Sequence, residues 1–216
     1  MELDSAISGW VHGWAHSRRS GWPEPMAGGF SIAVHNAKEA TRYVLQDGNP
    51  DRIRALAAAV SQELNWIKAP GTEAGLRDCF PEGWQFGPPL FLMGTGLSAV
   101  PSELQLLPPG YRLFVEPEAN ARQVWITDHD GAPAARGRIG IAGGVAVADQ
   151  IVTETAHRRR GLGRAMMNSL AAEAVAGGCS SAVLMASEAG RGLYSALGWE
   201  LLSPFVEVCY RSAPSS

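Results

Sequence analysis

The stretch His157-Arg158-Arg159-Arg160-Gly161-Leu162-Gly163-Arg164 joins two runs of different period. Gln150–Thr155 before it reads as a β-strand, and Arg164–Ala176 after it reads as a helix. A turn rich in Gly and Arg that opens a helix is an anion-binding device. The glycines let backbone N–H groups approach a phosphate, the helix start adds partial positive charge, and the Arg side chains add full charge. Strand, turn and helix in that order ask for an α/β architecture with a phosphorylated ligand at the turn. The P-loop pattern G-x-x-x-x-G-K-[ST] does not occur. The dinucleotide fingerprint G-x-G-x-x-G fails because Arg164, Ala165 and Met166 follow Gly161-Leu162-Gly163. What remains is R-x-x-G-x-G, with Arg158, Gly161 and Gly163 at the fixed positions.

The residues downstream sharpen this reading. Met167, Leu170, Ala171, Ala174 and Val175 form one apolar helical stripe, and Gly177-Gly178 stops it. Ser181–Ala186 is a short apolar run suited to a buried strand. Gly192-Leu193-Tyr194-Ser195-Ala196-Leu197-Gly198-Trp199 follows, and Phe205–Tyr210 alternates as a final strand. This ordered set resembles the GNAT superfamily of acyl-CoA-dependent N-acetyltransferases. R-x-x-G-x-G is similar to the family's pyrophosphate loop, and Leu193 to Trp199 is similar to its terminal L-Y-x-x-L-G-F signature, with Trp for Phe. The resemblance covers residues 108–216, about half the chain. It implies an α/β (α+β) GNAT fold: a mixed, mostly antiparallel twisted sheet flanked by helices, with splayed central strands.

The same resemblance implies acetyl-CoA, or another acyl-CoA, as co-substrate. Thr153 takes the family's Val place, Thr155 its Pro place and Arg158 its Arg place. Main-chain groups of Ile151, Val152 and Thr153 are then expected to meet the pantetheine arm. Arg158, Arg159, Arg160, Gly161, Leu162, Gly163 and Arg164 are expected around the pyrophosphate, and Ser187 on the opposite strand joins this set. Acyl transfer needs the amine to lose a proton and the thiolate to gain one. Tyr194 matches the family's Leu-Tyr tyrosine and is the expected acid. Glu154 is the expected base, with His157 able to do the same work through its near-neutral pKa.

Composition removes other classes. With 216 residues, 46% of them hydrophobic, the chain can bury a sizeable core. A net charge of −3 does not favour a nucleic-acid partner. Three widely spaced cysteines (Cys79, Cys179, Cys209) carry no C-x-x-C pair, so no zinc site or disulfide framework is indicated. His12 and His16 stand at i, i+4 without a third ligand, and no metal is expected. Neither a signal peptide nor a membrane span is seen, and a cytoplasmic location is expected. Helices bearing Trp leave a homodimer open.

Residues 1–107 read as an N-terminal α/β region. A helix capped by Asp4 or Ser5 is expected to run to about Arg19. Strands follow at Phe30–Val34 and Thr41–Leu45. A second helix across 51–65 is capped by Asn49 with Pro50 at N1, then come strands at Trp66–Ala69 and Leu90–Gly94. The boundary falls in Pro101–Gly110. The family's pattern places two helices after its first strand, but only Glu116–Arg122 separates strand from strand here. Either the N-terminal half supplies the missing cover, or the domain begins near Phe30. That half also reads as a degenerate GNAT-like unit covering the acceptor site. The expected activity is acetyl transfer to a primary amine of a small, amino-acid-like molecule by direct attack in a ternary complex. The alternatives are an acyl-CoA-binding regulatory module and an acetyltransferase acting on a peptide amine.

Overall fold

A computed structural model describes residues 1–97 and 107–212. The first half runs α1 (Leu3–Arg18), β1 (Glu24–Met26), β2 (Gly29–Asn36), β3 (Glu39–Leu45), α2 (Pro50–Ala59), β4 (Asn65–Pro70), α3 (Glu73–Leu76), β5 (Trp84–Phe86) and β6 (Leu90–Gly96). The second runs β7 (Arg112–Pro117), β8 (Ala121–Thr127), β9 (Pro133–Ala142), β10 (Val145–Thr153), α4 (Leu162–Ala176), β11 (Ser181–Ser187), α5 (Glu188–Ala196) and β12 (Glu200–Tyr210). All twelve strands form one sheet in the order β1-β2-β3-β4-β12-β6-β11-β10-β9-β8-β7, with β5 also on β12. Two neighbouring pairs are parallel, β3 with β4 and β10 with β11, and each is bridged by a helix. The rest are antiparallel, so the mixed α/β sheet read from the sequence is the one observed.

The two halves exchange strands. β6, from the first half, pairs with β11, while β12, from the second, pairs with β4; β6 and β12 lie side by side. Residues 101–106 of the expected Pro101–Gly110 boundary lie outside the described residues.

Alternation along the strands divides the core. In β10, Val145 and Val147 pack with Ile7, Trp10, Val11 and Trp14 of α1. Ala146 and Ala148 pack with Met166, Met167, Leu170 and Ala174 of α4. Successive strand side chains point to opposite faces, so α1 and α4 lie on opposite sides. In β12, Phe205 belongs to the α1 core, whereas Val206 and Val208 pack with Ile53 and Ala57 of α2. Hence α2 shares a face with α4, and among the described residues α1 is the helix that covers the other face across both halves. β7 and β8 form a direct hairpin, and α1 packs over β9 and β10.

Three local expectations need correction. The N-cap of α1 is Glu2, and Asp4 sits in the first turn, where its charge suits the helix dipole. α2 keeps its Asn49 cap, which accepts from the N–H of Asp51 and Arg52, but it ends at Ala59. Its last carbonyls are taken by Ser61 Oγ on Ala57 O at 2.6 Å and Asn65 Nδ2 on Val60 O at 3.0 Å. Leu64, with φ of 65°, then turns the chain into β4. Finally, β10 stops at Thr153, and Thr155–His157 form a 3-10 turn.

Candidate active site

Gly161 is the N-cap of α4 and has φ of 82°, a left-handed conformation that costs glycine nothing. Arg159, with φ of 62°, is held in the same region although it has a side chain. Such outliers cluster at ligand clamps. The first turn of α4 leaves the N–H groups of Leu162, Gly163 and Arg164 without helical partners. Among the described residues, the amides of Arg159, Arg160 and Gly161 also meet no backbone acceptor. Leu162 is buried in the core, so only its main chain faces the turn. A Cβ on Gly163 would stand 3.1 Å from Leu193 Cδ2, which is how closely α5 approaches the loop. Arg158, Arg159, Arg160 and Arg164 are exposed. The Arg158 Nε donates back to Thr153 O at 3.2 Å, tying the turn to the end of β10.

β10 and β11 pair only from Val145↔Ser181 to Val147↔Val183. Beyond that β11 continues on β6 to Ser187↔Leu90, while β10 continues on β9 through Val152↔Arg136 and Thr153↔Ala135. The two strands therefore separate, and Ile151, Val152 and Thr153 lie on the open edge of β10. A register shift between Asp149 and Val152, with Gln150 at φ of 53°, marks where they part. Ser187 ends β11, and its Oγ accepts from Gly190 N at 3.3 Å as the cap of α5.

Tyr194, on α5, is buried against Trp199 with ring centroids 6.1 Å apart. Burial and the nearby Asp149 carboxylate push its phenol up to about 12. Asp149 sits at the β10 irregularity and gathers three donors: Ser17 Oγ at 2.5 Å, Arg18 Nε at 2.5 Å and Arg18 Nη2 at 2.9 Å. Burial alone would raise this carboxyl, but the hydrogen bonds and charge of Arg18 outweigh it and hold it below the usual range. Glu154, by contrast, is exposed on the turn after β10, and its N–H pairs with Ala134 O at 2.9 Å.

Asp149 was not singled out by the sequence, nor was the charged group beyond it on the α1 face. Lys68 of β4 is buried against Glu207 of β12, with its ammonium 6.0 Å from the Trp10 ring. Arg42 of β3 pairs with Glu39 at 2.6 Å and lies 4.2 Å over Trp14. Burial, then the charge of Arg42, push Lys68 down to about 8. Single charges inside apolar strands, as in Trp66-Ile67-Lys68-Ala69 and Phe205-Val206-Glu207-Val208, were the available signal. Trp10 and Trp14 are core residues, while Trp22 is exposed beside His12 and His16.

Among the described residues, one group brings three metal-type ligand atoms within 4.8 Å: Asp128, His129 and Asp130 in the β8–β9 turn. Asp128 Oδ1 there accepts from the N–H of Asp130 and Ala132, as a turn aspartate does. Among the described residues no helix is long and apolar enough to cross a membrane.

Comparison with known proteins fits this geometry. Residues 98–199 match the acetyltransferase (GNAT) family model. Comparison with curated protein sequences gives no match. Among solved structures, the chain is similar to a GCN5-related N-acetyltransferase from Kribbella flavida, with a TM-score of 0.68 and 19% identity over 98% of this chain and 96% of that one. It is also similar to a GNAT-family acetyltransferase from Novosphingobium aromaticivorans, with a TM-score of 0.63 and 17% identity over 96% and 99%. A tandem GNAT protein from the clavulanic acid biosynthesis pathway aligns at a TM-score of 0.53 and 14% identity, over 100% of this chain and 98% of its own. Residues 98–199 thus carry a GNAT acetyltransferase domain, and an acyltransferase activity goes with it.

Proposed function

We propose that the chain transfers an acetyl group from acetyl-CoA to the primary amine of a small, amino-acid-like molecule, by direct attack in a ternary complex. The observation that carries this reading is the parting of β10 from β11 after Val147↔Val183, with the Arg- and Gly-rich turn beyond the end of β10. That opening leaves main-chain groups of Ile151 to Thr153 free for the amide-bearing pantetheine arm. The N–H groups of residues 159–164 and the side chains of Arg158, Arg159, Arg160 and Arg164 suit a pyrophosphate. Ser187 borders the arm from the other strand.

In the reaction a C–N bond forms at the thioester carbonyl and the C–S bond breaks. The thiolate takes a proton from Tyr194, whose raised phenol is fully protonated at neutral pH. The amine proton goes to Glu154 by way of solvent, because the Asp149 carboxylate is already engaged by Ser17 and Arg18.

The first half reads as a degenerate second unit, residues 1–107 against 108–216. Its β3–α2–β4 repeats the parallel arrangement of β10–α4–β11, and the tandem relative supports the comparison. Its turn before α2 is Gln46-Asp47-Gly48-Asn49, which has no cationic side chain, so a single donor site is assigned.

Titrating acetyl-CoA into the protein and into Gly163→Glu tests the reading. The variant sets a carboxylate and extra bulk in the first turn of α4, with its Cβ 3.1 Å from Leu193 Cδ2, and is expected to lose binding by 100-fold or more, roughly 2.7 kcal/mol. Equal affinity in the two proteins would overturn it. Glu154→Gln at full turnover would pass proton removal to solvent alone.

A further inference from the structure

Arg160 belongs to a chain of side chains that begins far from the loop in sequence. Its Nη1 donates to the Tyr111 hydroxyl at 3.2 Å. That hydroxyl lies 3.0 Å from His157 Nδ1, and the two rings meet edge to face at 5.7 Å and 80°. On the far side of the imidazole, Nε2 faces Asp128 Oδ2 at 3.9 Å, with both side chains largely buried. The other oxygen of Asp128 is fixed by the turn amides of Asp130 and Ala132. The directions of these contacts follow from chemistry. A guanidinium only donates, so the Tyr111 oxygen accepts from Arg160 and spends its own proton on His157 Nδ1. His157 then carries its proton on Nε2, where the Asp128 charge favours it. Pro108 lines the same side, since its Cγ would be 3.9 Å from a Cβ on Gly161.

Arg158 is held by the carbonyl of Thr153, whereas Arg160 is held by this chain alone among the described side chains. A free arginine has about 2 kcal/mol of rotamer entropy to lose on meeting a ligand. A neighbour that fixes it beforehand removes part of that cost.

We propose that Tyr111, backed by His157 and Asp128, is a positioning residue that presents Arg160 to the phosphates of the coenzyme's nucleotide end, and so makes the site select thioesters that carry that end. This rests on the loop binding coenzyme A, as proposed above. In this reading all three act through Arg160, and His157 is not the base.

The test is a double-mutant cycle read by calorimetry, with coenzyme A as the probe and no acceptor needed. Tyr111→Phe keeps the ring and removes only the hydroxyl; it is expected to weaken coenzyme A binding about tenfold, the scale of one hydrogen bond to a charged group. Arg160→Gln, at an exposed position, is expected to weaken it at least as much. In the combined variant the loss of the hydroxyl should add nothing. Pantetheine, which has no phosphate, should compete for all four proteins alike. Additive losses in the cycle, or an equal loss for pantetheine, would overturn the positioning role while leaving the loop's coenzyme binding intact. Failure of the unmodified protein to bind coenzyme A would instead remove the loop reading and this inference with it.

Discussion

Gly13 of α1 and Gly140 of β9 meet backbone to backbone. A Cβ on Gly140 would overlap the Gly13 carbonyl oxygen and stand 2.8 Å from its carbon; one on Gly13 would come 2.9 Å from Val147 Cβ. The atoms in the way are main chain or branch points, which cannot swing aside. This contact lets one helix lie directly on the sheet where the second half has no helix of its own. Gly140→Ala is therefore expected to destabilise the fold by about 3 kcal/mol, the upper range for overpacking. Urea unfolding measures it, and a loss under about 1 kcal/mol would mean that α1 is less tightly seated.

Tyr194→Phe separates chemistry from binding. With the phenol gone, turnover is expected to fall about 10²-fold or more while coenzyme affinity stays within twofold. Because burial and Asp149 push the phenol up to about 12, no loss of rate from its ionisation should appear below about pH 11. A variant that turns over normally would return Tyr194 to a packing role against Trp199.

The Arg18–Asp149 contact makes stability depend on acid. The Asp149 carboxyl is held below its unfolded value, so its stabilisation is complete above that value and is lost as pH falls through the folded one. Asp149→Asn is expected to cost about 1–2 kcal/mol near neutral pH, toward the lower end because Arg18 is partly exposed and screened. The gap between the two proteins should narrow below about pH 4. Parallel unfolding curves at both pH values would contradict this.

Lys68 and Glu207 stand 139 residues apart in the chain and meet inside the shared sheet. Removing one partner leaves a buried charge. Lys68→Met is expected to cost about 3 kcal/mol, and adding Glu207→Gln to recover much of it. Unfolding free energies of the three variants decide the matter; additive losses would show that the pair is not coupled.

Strand exchange predicts that the halves do not stand alone. Residues 108–216 expressed separately lack β6 beside β11 and α1 over β9 and β10. They are expected to aggregate, and co-expression with residues 1–107 is expected to restore a soluble complex. A folded, monomeric second half in size-exclusion chromatography and circular dichroism would contradict this.

The local parts of the site were legible in the sequence. The turn at Arg158–Gly163, the stripe of α4 and the Leu193–Trp199 signature each lie within a dozen or so residues, where periodicity and glycine chemistry decide the structure. What escaped was non-local. Leu90–Gly94 read correctly as a strand, yet nothing in it names β11 and β12 as its neighbours. Asp149, Lys68 and Glu207 looked like single charges in apolar runs, because their partners come from other elements. The early end of α2 escaped because two polar side chains, Ser61 and Asn65, take its last carbonyls.

β12 is the last strand in chain order and lies between β4 and β6. During translation both of those strands are made long before it, so each waits with a bare hydrogen-bonding edge while the rest emerges from the ribosome. Such edges recruit wrong partners. The sheet is completed only when Glu200–Tyr210 slides between them, which makes this late segment the keystone of assembly: a chain cut just before it keeps every other strand and still leaves both edges bare.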